Sequence, residues 1–184
     1  MNNNMIRLFI AIEFSEDIKD ELMKSSALIR NACERGSFTR RENMHITLVF
    51  LGEIASTRVK EITGLMDNCT SSPIKITTGH MGRFKRWDGD ILWRKITADK
   101  QLFQLQKTLA SRLRDQGFQI EDRKFVPHLT MTRRAILKDG IELKDLSEQM
   151  PDLKYTASKM TLMESKLVNG RTTYIPLHHS PFNK

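Results

Sequence analysis

The chain has 184 residues, a length that suits one domain, or two closely packed lobes, better than a string of modules. Hydrophobic residues make up 39% of it and charged residues 28%, proportions that exclude a disordered chain and a membrane-embedded one. The formal net charge of +8 favours a polyanionic partner such as RNA or a phosphorylated small molecule.

The amino-terminal apolar run and the two cysteines bear on the compartment of the protein. The run over residues 6–14 is too short to span a bilayer, contains Glu13 and lacks the cleavage pattern of a secretory signal. Cys33 and Cys69 have no CxxC spacing and no histidine placed as a zinc partner, so we expect neither a metal site nor a disulfide. We therefore expect a cytoplasmic protein.

The first half of the chain predicts two strands, each followed by a helix. Residues that favour β structure predict a strand over 6–14, and apolar residues at helical spacing then predict a helix that Ser15 caps. A second strand is predicted over 45–51, where Gly52 ends it, and an amphipathic helix over 54–68 follows. This order of elements is typical of an α+β protein.

Short strands open the second half, and they are predicted over 74–81, 83–87 and 90–97. The sequence Trp87-Asp88-Gly89-Asp90 favours a hairpin turn before the last of them. A long helix is predicted after Thr97, with Gly117 where a C-cap belongs and with one apolar face formed by Leu102, Leu105, Leu109 and Leu113. The remaining elements are a short helix near 142–150 and strands near 153–166 and 172–178, joined across Asn169-Gly170.

The spacing of these features indicates an internal duplication. Ser15 and Thr97, which we predict to cap the two long helices, are 82 residues apart, and His45 and His128 are 83 apart. Strand, cap, helix and a His-x-Thr sequence thus recur nearly in step. We predict an α+β fold with two pseudo-twofold-related lobes, each with an antiparallel sheet and helices. Residues 1–184 would form this single bilobal domain, with a ligand-binding cleft between the lobes.

The most informative motifs are the two His-x-Thr sequences, HITLVF at 45–50 and HLTMTR at 128–133. In a strand, residues i and i+2 point to the same face, so His45 and Thr47 project together, as do His128 and Thr130. Their apolar neighbours would enter the core, and the two polar pairs would face each other across the cleft. A single histidine on a strand is more often structural than catalytic, but two copies at matching positions favour a functional interpretation.

Two imidazoles and two hydroxyls around one pocket suit phosphodiester cleavage. Histidine titrates near neutrality, so one imidazole can act as base while the other acts as acid across a reacting phosphorus. The threonine hydroxyls can donate to non-bridging phosphate oxygens and stabilise the charge of the transition state.

The stretch ENMHITLVFLGE (residues 42–53) together with FVPHLTMTR (residues 125–133) resembles the 2H phosphoesterase superfamily. The likeness is to its RNA 2′,3′-cyclic phosphodiesterases, also called the bacterial 2′-5′ RNA ligase family, and it covers most of the chain. The resemblance implies a bilobal α+β fold with both HxTx motifs in a central cleft. It also implies metal-independent hydrolysis of a 2′,3′-cyclic phosphate to a 2′-phosphomonoester, without a cofactor.

The resemblance also implies a role for each motif residue. His45 would be the general acid that protonates the departing 3′-oxygen, and His128 the base that activates water. Thr47 and Thr130 would hold the phosphate. Two further positions would bind substrate, Phe50 by base stacking and Arg133 by direct contact, although Phe50 shares a face with His45 only if the strand bends or bulges.

The expected partner is an RNA or oligonucleotide with a 2′,3′-cyclic phosphate end, bound by a monomer and without a membrane. Two alternatives stay open: a 2′-5′ RNA ligase that runs the related chemistry in reverse, and a non-catalytic protein that binds RNA ends. Arg40, Arg41 and Arg134 could extend a cationic rim, or could be ordinary solvated charges. Trp87 and Trp93 are expected to pack in the core or on the surface.

Overall fold

The computed structural model describes residues 4–69 and 71–182, and it confirms the α+β class. In chain order, the strands and α-helices of this part are β1 (Met5–Glu13), α1 (Glu16–Ala32), β2 (Cys33–Phe38), β3 (His45–Ala55), α2 (Val59–Asp67), β4 (Ile74–Phe84), β5 (Asp90–Ala98), α3 (Lys100–Asp115), β6 (His128–Leu137), α4 (Leu143–Glu148), β7 (Lys154–Ala157), β8 (Lys159–Val168) and β9 (Arg171–Pro181). Short 3₁₀ turns precede β3 at Arg41–Asn43 and α2 at Ser56–Arg58.

The strands form one antiparallel sheet in the order β7-β4-β5-β6-β3-β1-β8-β9, and β2 pairs with β6 beside this path. The two strands that begin with His-x-Thr, β3 and β6, are neighbours at the middle of the order. They share a single residue pair, Ile46 with Leu129, so the two halves of the sheet are joined at one narrow point. The sheet is therefore continuous, where the sequence predicted one sheet for each lobe.

The main core lies between one face of the sheet and the helices. On α3, the predicted apolar stripe of Leu102, Leu105, Leu109 and Leu113 is buried, and α1 contributes Leu22 and Ile29. Burial of one such side chain stabilises the fold by about 1.5–3 kcal/mol. A second, small cluster of Phe9, Ala11 and Met163 packs against Tyr174 apart from this core.

Several predicted boundaries are wrong, and the cause is mostly pairing between distant strands. β2 was not predicted, because CERGSF is charged and contains glycine, and pairing with β6 makes it a strand. β3 does not end at Gly52, which takes a φ of +76° where the register shifts, and the strand continues to Ala55. The cap of α3 is Asp99, while Thr97 still belongs to β5.

Three further segments divide differently from the prediction. The two strands over 74–81 and 83–87 are one continuous β4, because β5 pairs along it with a register shift in the middle. The helix over 54–68 begins as a 3₁₀ turn and becomes α-helical only at Val59. The strand near 153–166 is two strands, β7 and β8, which separate at Ser158.

The predicted turns are confirmed where glycine or asparagine adopts a left-handed conformation. Gly89 has a φ of +114° in the β4–β5 turn, and Asn169 and Gly170 have φ values of 50° and 74° in the β8–β9 turn. Gly117 follows α3 with a φ of +78°. Over the described residues, no helix has the length and the apolar character needed to cross a membrane.

Candidate active site

The two His-x-Thr strands have the same burial pattern and the same irregularity. In 45–50 and in 128–133, a half-buried histidine is followed by a buried residue, a half-buried threonine, two buried residues and an exposed one. The register skips Leu48 in β3 and Met131 in β6, each three residues after its histidine. Both strands therefore bulge at equivalent positions, and each bulge reverses the alternation of side chains beyond it.

The bulge at Leu48 brings Phe50 to the face of the sheet that carries His45 and Thr47. Residues paired across antiparallel strands point to the same face. Thr47 pairs with Ala11 and Phe50 pairs with Phe9, two residues away from Ala11 on β1, so all of them share one face. The sequence predicted that Phe50 shares a face with His45 only if the strand bends or bulges, and the strand does bulge. The Phe50 ring is 41% exposed, and the Arg7 guanidinium lies 5.0 Å from its centroid.

Arg133 occupies the position in β6 that Phe50 occupies in β3. Thr132 pairs with Leu92, and both are fully buried, so Arg133 points to the opposite, open face. This face also carries Thr130, which pairs with Trp93. The two substrate-binding candidates are therefore both exposed and both on the face of their histidine.

The ring orientation of each histidine is fixed by a backbone carbonyl two residues upstream. His45 Nδ1 lies 2.7 Å from the Asn43 carbonyl oxygen, and His128 Nδ1 lies 2.7 Å from that of Val126. A carbonyl oxygen only accepts, so each Nδ1 carries the proton and donates it. Nε2 is consequently the nitrogen of each ring that can gain or lose a proton. In β3, this atom lies 3.1 Å from the Thr47 hydroxyl, which donates to it when the ring is neutral.

Each imidazole also contacts two aromatic rings that the sequence interpretation did not assign to the site. Phe9 and Tyr174 lie 4.9 and 5.1 Å from the His45 ring, measured between centroids. On the other side, Phe84 and Trp93 lie 5.3 and 6.0 Å from the His128 ring. These contacts hold the rings in place, because packed aromatic pairs favour particular geometries. No local motif marks these residues; the pairing of β1 with β3 and of β5 with β6 would have pointed to them.

Trp93 fits beside His128 because β4 has a glycine opposite it. Gly82 pairs with Trp93, and a Cβ atom at Gly82 would lie 2.4 Å from the indole ring. The expected packing of Trp93 is confirmed, since its ring also lies 5.1 Å from Phe84. Its Nε1 is buried and has no hydrogen-bond partner among the described residues.

The surroundings of His45 shift its pKa. Its pKa is lowered to about 4, mainly by burial and also by the positive charges of Arg133 and His128. The hydrogen bond to Asn43 and the negative charge of Glu13, which pairs with His45 across the strands, oppose this shift of the pKa. The free protein therefore carries a neutral His45 at pH 7, with the lone pair on Nε2.

The other arginines near the motifs are mostly engaged in ion pairs. Arg41 binds Glu16 and Asp20 of α1, and Arg134 Nε lies 3.1 Å from Asp88 Oδ2. Arg40 pairs with Glu42 at 2.9 Å and also donates to the Thr172 carbonyl. The proposed cationic rim is thus largely neutralised at these positions.

No group of three or more potential metal ligands occurs within 4–69 and 71–182. His178 Nε2 lies 2.8 Å from Asp67 Oδ1, and His179 Nδ1 lies 3.0 Å from the Thr161 hydroxyl.

An α+β fold whose antiparallel sheet contains two paired His-x-Thr strands defines the class of two-histidine phosphoesterases. Residues 18–169, which are most of the chain, match the family model described as the 2′-5′ RNA ligase superfamily. The chain belongs to this superfamily.

Curated proteins and solved structures agree with this membership. The chain is similar to the RNA 2′,3′-cyclic phosphodiesterase of Methanocaldococcus jannaschii, with 31% identity over 92% of this chain and 96% of that protein. A protein of the same description from Escherichia coli is 27% identical over 93% of each chain. The crystal structure of E. coli LigT complexed with 3′-AMP has a TM-score of 0.81 and 24% identity, over 98% of this chain and 100% of that one, and supports the fold.

Proposed function

We propose that this chain is an RNA 2′,3′-cyclic phosphodiesterase, which hydrolyses the cyclic phosphate at an RNA end to a 2′-phosphomonoester. The observation that carries the proposal is the pair of equivalent, bulged His-x-Thr strands, in which each Nδ1 donates to a carbonyl and leaves Nε2 for proton transfer. Superfamily membership and the activity named for the curated relatives support it.

The proposed site lies in a cleft between two lobes related by a pseudo-twofold axis, within one domain over 1–184. The strand order supports this arrangement, because β1 and then β8 lie outward from β3, as β5 and then β4 lie outward from β6. Each motif strand also follows a strand and a long helix, β1 and α1 in one half and β5 and α3 in the other. Both motifs come from one chain, so a monomer suffices for the reaction.

In the proposed reaction, His128 accepts a proton from water as the water oxygen bonds to phosphorus. The bond from phosphorus to the 3′-oxygen breaks, and His45 donates its proton to that oxygen. Thr47 and Thr130 donate hydrogen bonds to the phosphate, and Arg133 adds positive charge where negative charge develops. Phe50 stacks on the terminal base. No step uses a metal ion or a cofactor.

Phosphorus NMR of a nucleoside 2′,3′-cyclic phosphate mixed with the protein tests this proposal. With EDTA present, we expect the cyclic phosphate signal to be replaced by that of a 2′-phosphomonoester. Formation of the 3′-phosphate would contradict the direction of ring opening that we propose. Tight binding without any product would favour a protein that only holds RNA ends.

The protonation of His45 should change when an anion binds. An acid must start protonated, but the pKa of His45 in the free protein is about 4. A phosphate group beside Nε2 stabilises the imidazolium form, so we expect a nucleoside 2′-phosphate to raise this pKa towards neutrality. NMR titration of the imidazole protons, assigned with the His45→Ala variant, measures the shift. If the pKa stays near 4 in the complex, His45 is the base and His128 the acid.

Ligation through a 2′-5′ linkage is the second candidate, and the description of the matching family favours it. The same acid–base pair serves both directions by microscopic reversibility. Incubation with RNA halves, one bearing a 2′,3′-cyclic phosphate and one a free 5′-hydroxyl, separates the two activities. Hydrolysis gives 2′-phosphate ends, whereas ligation gives a longer product, and in water we expect hydrolysis to predominate.

A further inference from the structure

We propose that residues 85–90, which form the turn after β4 and the first residue of β5, bind the single-stranded RNA upstream of the reacting end, with Trp87 stacked on a base. Residues 85–90 are called the Trp87 turn below. The inference about this turn deepens the proposed function and rests on it. The expectation that Trp87 packs is wrong, because the side chain is 98% exposed. Burial of a tryptophan is a large source of stability, and this one contributes none to the fold.

The acidic residues of the Trp87 turn are paired with cations outside it. Arg134 Nε lies 3.1 Å from Asp88 Oδ2, and Arg83 Nη1 lies 3.4 Å from Asp90 Oδ2. Lys85 and Arg86, which directly precede Trp87, are exposed and form no ion pair within the described part of the chain. Trp87 therefore directly follows two exposed cations that remain available to phosphate groups.

The turn is anchored on β6 beside the proposed site. A Cβ atom at Gly89 would lie 2.7 Å from the Arg134 carbonyl carbon, so the two backbones are in direct contact. Arg134 follows Arg133, the substrate-binding candidate. Only glycine fits this approach, because its φ of +114° is also unfavourable for other residues. This contact holds the backbone of the turn against β6, next to Trp87.

The distance from the turn to His128 is short enough for one RNA strand to contact both. Phe84, the last residue of β4, lies 5.3 Å from the His128 ring, measured between centroids. Three residues then lead to Trp87, a path of at most roughly 10 Å. An RNA whose terminal phosphate lies at His128 can therefore reach Trp87 with the few nucleotides next to that phosphate.

An exposed aromatic ring beside cations is the combination that binds single-stranded nucleic acid. Bases stack on the ring whatever their identity, and the cations attract the backbone. Around the Trp87 turn, the cations Arg83, Lys85, Arg86, Arg133 and Arg134 outnumber the carboxylates Asp88 and Asp90. An RNA strand fits this charge better than an acidic protein surface, because it also supplies the stacking partner.

The test compares a mononucleotide with RNA oligonucleotides of two to eight nucleotides, all ending in a 2′,3′-cyclic phosphate. We expect Trp87→Ala to lower kcat/KM for the oligonucleotides by roughly 5- to 150-fold, the effect of losing one base–aromatic stack. Turnover of the mononucleotide should stay at the wild-type rate, and Trp87→Phe should restore most of the loss. The matched control is Leu167→Ala, since Leu167 is 75% exposed in the other hairpin but cannot stack.

Fluorescence gives a binding readout that does not depend on turnover. Only two tryptophans are present, so the signal of Trp87 is obtained by comparison with the Trp87→Phe variant. In a His128→Ala background, we expect an oligonucleotide to quench Trp87 emission and a mononucleotide to leave it unchanged. Replacing both Lys85 and Arg86 by alanine should reduce the salt dependence of binding, by about 0.7 in slope for each phosphate group that is no longer neutralised.

Equal losses with Trp87→Ala on the mononucleotide and the oligonucleotides would overturn the inference, as would equal losses with Leu167→Ala. Unquenched Trp87 emission in the presence of a bound oligonucleotide would also overturn it. Failure of the proposed function is distinguishable from failure of this inference, because in the first case the wild-type protein would turn over neither the mononucleotide nor the oligonucleotides.

Discussion

Replacing His45 or His128 by alanine is expected to lower kcat for hydrolysis of a 2′,3′-cyclic phosphate by roughly 10²–10⁴-fold for either variant. Each variant removes one of the two Nε2 atoms proposed to transfer a proton. Both side chains are half-buried at the open face of the sheet, so the core beneath them is unchanged. Steady-state rates with a mononucleotide substrate, together with thermal unfolding of each variant, measure the two effects separately.

The matched control is His80→Ala, because His80 is exposed on β4 and belongs to neither motif. Its rate should equal that of the wild-type protein. The double variant His45→Ala/His128→Ala should lose little more than either single variant, since groups that act as a unit are not additive. Wild-type turnover in either single variant with an intact fold would remove that histidine from the mechanism.

The sequence was sufficient to predict the motif strands because their signal is local. An alternation of period two puts His45 and Thr47 on one face and Ile46 in the core, and the structure has them so. The helical stripe of α3 is equally local, with one apolar residue on each turn. The Asn169-Gly170 turn was predictable as well, because few residues adopt its backbone conformation.

The bulges could not be predicted, because they are defined by the partner strand. Leu48 and Met131 are ordinary apolar residues, and only the register against β1 and β5 shows that each is an extra residue. The face on which Phe50 and Arg133 lie depends on these two bulges. The aromatic contacts of the histidines have the same origin, since Phe9 and Trp93 reach the site through strand pairing over long sequence separations.

The burial of Arg94 in the core was likewise not predictable from the local sequence. It lies between Leu92 and Ile96 on the buried face of β5, and only 1% of its side chain is exposed. Its Nε donates to the Gly79 carbonyl at 3.1 Å, and its Nη2 donates to the Pro151 carbonyl at 2.9 Å. The guanidinium therefore links β5 to β4 and to the segment before β7.

Replacing Arg94 by alanine is expected to reduce the free energy of unfolding by about 3–5 kcal/mol. The change leaves a cavity and removes the donors to the Gly79 and Pro151 carbonyl groups. At roughly 2–4 °C for each kcal/mol, the midpoint of thermal unfolding should fall by about 6–20 °C. Differential scanning calorimetry and urea denaturation of the same variant measure the two quantities.

The variant Arg94→Met separates packing from charge. Burial lowers the pKa of the guanidinium, which shows that its charged form is disfavoured there, and the ion pair with Asp152 is long, at 3.7 Å. A buried charge of this kind often contributes little beyond its volume and its hydrogen bonds. We therefore expect methionine, which fills most of the space, to cost less than half as much as alanine.

Arg123→Ala, an exposed control with 77% of its side chain accessible, should change the stability by about 0.5 kcal/mol or less. If Arg94→Ala is no more destabilising than this control, the guanidinium is not a structural link between the strands. If methionine costs as much as alanine, the hydrogen bonds to Gly79 and Pro151 carry the stability and the filled volume does not.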